Sequence, residues 1–159
     1  MQTRLIPFSQ QQPGTWRGGE VHEIFRDPPD ADYPAGDYNL WVGTATIERA
    51  AVYSYFARAE RLHIPLTGQG LRLDFDDPVE SVFLTTQKAC TFSGTRPLHA
   101  TPVDGPVLAF NLIYRQGQTS GFRFIPAAEL PFSHAVDVAA GERLSLIVYG
   151  TSGGTSGGT

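Results

Sequence analysis

The chain is predicted to be all-β, a sandwich or barrel with little helix, and three observations carry that expectation. Twelve Pro and seventeen Gly fall within 159 residues, so turns are frequent and elements must be short. Between them lie extended runs rich in Val, Ile, Thr and aromatic residues. No apolar stripe with a 3.6-residue period is sustained anywhere. A chain of this length is also long enough to bury a substantial core as one domain.

Taken in order, Glu20–Arg26 reads as a strand stopped by Asp27-Pro28-Pro29-Asp30, and residues 38–48 as a longer extended run. Ala57–Arg61 reads as a single helical turn. Arg61–Leu66 and Leu71–Phe75 flank Thr67-Gly68-Gln69-Gly70, which reads as a hairpin turn because Gly tolerates positive φ. Leu71, Leu73 and Phe75 alternate with Arg72 and Asp74, the two-residue period of a half-buried strand. Further runs follow at 81–86, 106–115 (entered through Asp104-Gly105), 121–126 and 143–149. The expected organisation is one compact domain over 1–150, with a Thr-Ser-Gly-Gly repeat at 151–159 as a flexible tail.

Charge and composition exclude several partners. The formal net charge is −4 and no run of Lys or Arg reaches three residues, against the dense cationic patch that nucleic acid requires. Cys90 is the single cysteine, so no internal disulfide forms. Met1–Gly14 lacks the apolar centre of a signal peptide, and no stretch approaches the roughly twenty apolar residues of a membrane span. The expectation is a cytoplasmic protein with neither nucleic-acid nor membrane partners; a homodimer stays open.

Four segments taken together resemble the HutD/Ves family. Trp16-Arg17-Gly18-Gly19, followed by Glu23-Ile24, is similar to the family's Trp-Lys/Arg-Asn-Gly-Gly opening and its later Glu-Ile. The run 38–48 stands where the family has an aromatic-rich strand ending in Val/Ile-Glu. Tyr53-Ser54-Tyr55-Phe56, then Arg61 and Gly68-Gln69-Gly70, is similar to Phe-Ser-x-Phe, Asp-Arg and Gly-x-Gly. Phe92-Ser93-Gly94, Asp104-Gly105 and Phe110-Asn111-Leu112 are close to Phe-x-Gly, Asp-Gly and Asp-Phe-Asn. The chain departs from the pattern at Glu20-Val21-His22, Ala57-Arg58 and Ala109. The resemblance spans about residues 16–115 and implies a cupin-type (bicupin) β-barrel or sandwich. It further implies an accessory or regulatory role in histidine utilisation, with a small carboxylate as ligand.

The residues themselves point to binding rather than to a reaction. Cupin metal sites usually open with two His one residue apart on a strand, so that both imidazoles point the same way. His22, His63, His99 and His134 show no such pairing, so neither a metal nor another cofactor is expected. Cys90 lies in an apolar run with only Lys88 nearby to favour a thiolate. No nucleophile elbow and no phosphate-cradling loop occurs. No catalytic residue is assigned.

The candidate ligand set is Trp16 with Gly18 and Gly19, then Glu23, Ser54, Phe56, Arg61, His63 and Asn111. Trp16 beside two glycines offers a flat aromatic surface, or alternatively a plug for one end of the barrel. Arg61 and His63 alternate with Leu62, Ile64 and Leu66, which are expected to face the core, leaving the polar pair on the opposite side. The Arg61 guanidinium suits a carboxylate ligand, or alternatively an ion pair with Glu48 or Glu60. Asn111 sits among apolar residues and must find hydrogen bonds from backbone or ligand. Ser54 and Phe56 share a strand face and either line the same cavity or simply pack. Two other classes stay open: a metal-dependent cupin enzyme of isomerase or dioxygenase type, and a stress-linked β protein without ligand.

Overall fold

The structure, a computed structural model, describes residues 6–32 and 39–117. The chain divides into one unit of residues 1–125 and a second of residues 126–159, which lies outside the described residues. The expected strands at 121–126 and 143–149, the 151–159 tail and His134 also lie outside them.

The described part of the first unit is all-β. After a short 3-10 turn (Phe8–Gln10) come ten strands: β1 (Gln12–Trp16), β2 (Gly19–Asp27), β3 (Leu40–Ile47), β4 (Ala51–Val52), β5 (Ala59–Thr67), β6 (Leu71–Asp76), β7 (Val79–Leu84), β8 (Cys90–Ser93), β9 (Leu98–Pro102) and β10 (Val107–Arg115). They form two antiparallel sheets, one in the order β1-β2-β3-β10-β5-β8 and one in the order β4-β9-β6-β7. The core lies between them. Ile47, Val107 and Ala109 of the larger sheet pack with Leu71, Leu73, Phe75, Leu98 and Ala100 of the smaller one, and all eight are buried. A second cluster joins Trp41, Phe56, Ala59 and Ile113.

Most of the expected strands are found, with ends moved by one or two residues. Those missed are β1, β4, β8 and β9. β1 contains Pro13-Gly14, which a strand at the sheet edge tolerates because its N–H side need not donate to a ladder. The other three have only two to five residues, too few to show a period.

Three expectations are corrected. Thr67-Gly68-Gln69-Gly70 does not close a hairpin: β5 and β6 belong to different sheets, and the turn carries the chain from one to the other. Gly68 is needed there for its φ of 104° and because a Cβ would lie 2.8 Å from the Pro106 carbonyl oxygen. Ala57–Arg61 is not a helical turn. Arg58 takes a φ of 56°, and the carbonyls of Arg58 and Ala59 accept from Gln116 N (2.9 Å) and Gly94 N (2.8 Å) instead of closing a helical ring. The side assigned to Arg61 and His63 is also reversed. They share the face between the sheets with Asn111 and Phe92, whereas Leu62 and Ile64 lie on the opposite face, itself buried. A strand buried on both faces has no polar side to read.

Gly19 shows how tightly the chain closes after β1. A Cβ there would lie 2.3 Å from the Thr46 carbonyl oxygen, a backbone atom that cannot move aside without disturbing β3. Gly19→Ala is therefore expected to cost about 1–3 kcal/mol as an overpacking change, read as a lower urea midpoint with an unchanged m-value.

Candidate functional site

The larger sheet supplies a floor of small residues. Gly43 and Ala45 of β3 lie opposite Asn111 and Ala109 of β10; the Trp41 indole lies over Gly43, and Ala45 and Asn111 line a space beside the sheet's inner face. The space is walled by aromatic side chains from three segments: Trp16 at the end of β1, Trp41 of β3, and Tyr53 and Phe56 after β4. Val21, Ala45 and Ile113 complete the apolar lining, and Ser54, Arg61 and Asn111 are its polar members. The cavity volume is about 20 Å³. That is room for a group of a few atoms. A wider cleft of about 270 Å³ adjoins Tyr53 and Ser54, where Arg17, Val52 and Tyr55 line it.

Each aromatic wall is held by a particular contact. Trp16 donates its indole N–H to the Thr46 carbonyl at 3.2 Å and meets Tyr53 edge-on at 5.3 Å. Gly18 lies beneath that indole, where a Cβ would come within 2.3 Å of the ring. Trp41 donates to Glu23 Oε2 at 2.7 Å, and Glu23 is bridged in turn by Arg26 at 2.7 Å. Residues 23 and 26 of a regular strand face opposite ways, yet both meet the Trp41 side. The cause is a β-bulge between Glu23 and Phe25, which shifts the alternation by one residue. Phe56 is fixed through its backbone N–H, which donates to the Gly94 carbonyl at 2.8 Å.

The polar members form one network. Arg61 donates to Asn111 Oδ1 from Nε (3.0 Å) and Nη2 (2.8 Å), and His63 Nδ1 lies 2.8 Å from the same oxygen. Tyr53 Oη lies 3.1 Å from His63 Nε2. The guanidinium also stacks over the Tyr53 ring at 4.2 Å. Arg61, His63 and Asn111 are all buried. Burial and the neighbouring Arg61 charge push the His63 pKa down to about 3, against the opposing hydrogen bond with Asn111. Burial raises the Tyr53 pKa, partly offset by Arg61, so the hydroxyl keeps its proton. Near neutral pH the network thus holds one cation, a neutral imidazole and a phenol.

Of the sequence-based candidates, the structure brings Trp16, Ser54, Phe56, Arg61 and Asn111 to the cavity, with His63 directly behind Asn111. Gly18 and Gly19 lie under and after Trp16 and do not line the cavity, and Glu23 reaches it only by holding Trp41. Glu48 pairs with Arg49 at 3.8 Å, and Glu60 accepts from Gln116 at 2.8 Å. Tyr53 and Trp41 were not singled out, although Tyr53 stands in the quoted Tyr-Ser-Tyr-Phe segment and Trp41 in the aromatic-rich run.

The profile of the HutD family matches residues 9–151. This chain belongs to the HutD family. Solved structures agree. A conserved protein of unknown function from Pseudomonas aeruginosa PAO1 is 30% identical with a TM-score of 0.63, over 71% of this chain and 57% of that one. HutD from Pseudomonas fluorescens SBW25, determined in a formate condition, is 26% identical with a TM-score of 0.59, over 68% of this chain and 58% of that one. A protein from Planctomyces limnophilus, at 15% identity and a TM-score of 0.51, covers 72% of this chain and 90% of that one and shares the fold alone. No curated protein matches the chain. The all-β fold class read from the sequence therefore holds. The chain spans less than two thirds of the length of the two Pseudomonas proteins.

Two outcomes follow from the His63 environment. Its folded pKa of about 3 lies below the 6.5 of an ordinary histidine, so between these values the unfolded chain binds the extra proton. Stability should then fall as pH falls from 6.5 towards 3, by up to about 1.4 kcal/mol per pH unit. His63→Asn is expected to remove that component from urea-unfolding free energies measured across this range. Both His63 nitrogens are engaged, and among the described residues no three His, Cys, Asp or Glu side chains gather in a metal-holding cluster. Elemental analysis of dialysed protein should accordingly find well under one equivalent of zinc, iron, manganese or nickel.

Proposed function

We propose that this HutD-family protein binds a small carboxylate between its two sheets and acts, without catalysing a reaction, as an accessory or regulatory factor of histidine utilisation in the cytoplasm. The observation that carries the reading is one cavity lined by a buried guanidinium and a carboxamide inside aromatic walls. A cation held in a low-dielectric pocket attracts an anion far more strongly than it would in water. Arg61 has five N–H groups in a planar fork, a geometry matched to carboxylate oxygens, and the charge is already oriented by its bonds to Asn111. Among the described residues the side-chain hydrogen bonds of Asn111 end on Oδ1, which leaves its NH2 as a second donor for an anion in the cavity.

Size narrows the ligand. The enclosed space suits a formate-sized group, and the remainder of a longer carboxylate would extend into the adjoining cleft past Ser54. The charge states support holding over proton transfer. His63 is too weak a base and Tyr53 too weak an acid to exchange protons near neutral pH.

Titration calorimetry with formate tests the proposal. Arg61→Ala is expected to weaken binding by about 1.5–3 kcal/mol, the range for a hydrogen bond to a charged group. Unchanged affinity in a folded variant, or no saturable binding by the unaltered protein, would sink the assignment.

A further inference from the structure

We infer that the outer cleft is a second anion subsite anchored by Arg17, so that the protein selects a carboxylate bearing a further anionic group. This rests on the reading of the inner cavity as a carboxylate site and says what the far end of that ligand carries. Cavity and cleft share Tyr53 and Ser54 in their walls. The cavity, at about 20 Å³, takes little beyond a carboxylate group, whereas the cleft, at about 270 Å³, has room for a carbon chain and a second anion.

The backbone fixes where Arg17 stands. With Gly18 it forms the tight turn between β1 and β2, since Trp16 pairs with Gly19. The Gly18 carbonyl accepts from the backbone N–H groups of Glu48 at 2.8 Å and Arg49 at 3.4 Å, which ties the turn to the connection after β3. The side chain, by contrast, is uncommitted. Arg17 is exposed, and among the described residues it makes no ion pair and no side-chain hydrogen bond. Nearby Glu48 pairs with Arg49 instead, at 3.8 Å. No carboxylate stands among the described residues that line the cleft, so the Arg17 charge faces it unneutralised.

The rest of the lining suits a ligand as well. Five large apolar side chains are strongly exposed among the described residues, and two of them, Val52 and Tyr55, meet in this cleft. Water-facing apolar surface beside a cation and the Ser54 hydroxyl matches a short carbon chain that ends in an anion. The planar guanidinium takes a carboxylate through two parallel N–H bonds. Because Arg17 is open to water its attraction is modest, so it adds selectivity on top of the binding supplied by the inner cavity.

Matched pairs of linear acids make the test, each pair equal in carbon count and differing by a carboxylate against a methyl group at one end. Succinate with butyrate, glutarate with pentanoate, and adipate with hexanoate cover a range of lengths, and formate reports on the inner cavity. In titration calorimetry at low ionic strength, the dicarboxylate of best-fitting length should bind about fivefold tighter than its partner, the worth of one exposed ion pair. In Arg17→Gln this preference should fall to near unity while formate affinity stays unchanged. An unchanged urea midpoint checks that the variant keeps its fold. Equal affinity within every pair for the unaltered protein, or a preference that persists in Arg17→Gln, overturns the subsite. Formate binding measured beside such a result shows that the inner site stands, so the two readings fail separately. Absence of saturable binding by formate and by every dicarboxylate overturns both.

Discussion

The oxygen of Asn111 is the point on which the interior depends. Placing a guanidinium and an imidazole between two apolar sheets removes both from water, a cost of several kcal/mol for the charge alone unless hydrogen bonds compensate. Asn111 Oδ1 meets the donors of both groups, and Tyr53 closes the far side of the imidazole. Two strands and a loop thereby share one polar junction in the middle of an otherwise apolar core. Removing any member strands another, because a donor buried without a partner keeps its full desolvation penalty. The register of β10 against β5 is what makes the junction possible, since it sets Asn111 directly opposite His63 and Ile113 opposite Arg61.

Around this junction the molecule trades packing for space. Gly43 makes way for the Trp41 indole of its own strand, where a Cβ would come within 2.3 Å of the ring, and Ala45 is small where it lines the cavity. The large aromatics do not simply collapse inward, because each is anchored. Trp16 hangs from Thr46, Trp41 from Glu23, and Phe56 from the backbone of Gly94. The bulge in β2 belongs to the same construction. By shifting the strand's alternation it turns Glu23 and Arg26 to one side and fixes the indole of Trp41. The cavity is thus walled by anchored side chains, and polar on one side because the network borders it.

Family membership and geometry bear on different questions. Belonging to the HutD family establishes the architecture and relates this chain to proteins of which it spans a little over half the length. What the interior does chemically is a matter of charge and orientation. With His63 held neutral and Tyr53 held protonated, the network offers a fixed positive charge and fixed donors over the physiological range. An acid–base centre would instead need groups that titrate near the working pH.

The sequence by itself determined the all-β class, the family, and the half-buried alternation of β6, because turn residues and a period of two are local properties of the chain. It also pointed to Trp16, Ser54, Phe56, Arg61, His63 and Asn111, residues whose chemistry stands out against apolar neighbours. Only the tertiary structure decided which way they face. Buried on both sides, β5 carries no amphipathic signal, so the face that holds Arg61 and His63 is set only by its pairing with β10 and β8 in the folded sheet. Gly68-Gln69-Gly70 has the composition of a hairpin turn, and whether the next strand pairs back or crosses to another sheet depends on contacts far along the chain. Glu23 acts on Trp41 through a bulge that no residue pattern announces. The polar junction joins residues 53, 61, 63 and 111, and separations of up to 50 residues lie beyond what local periodicity encodes.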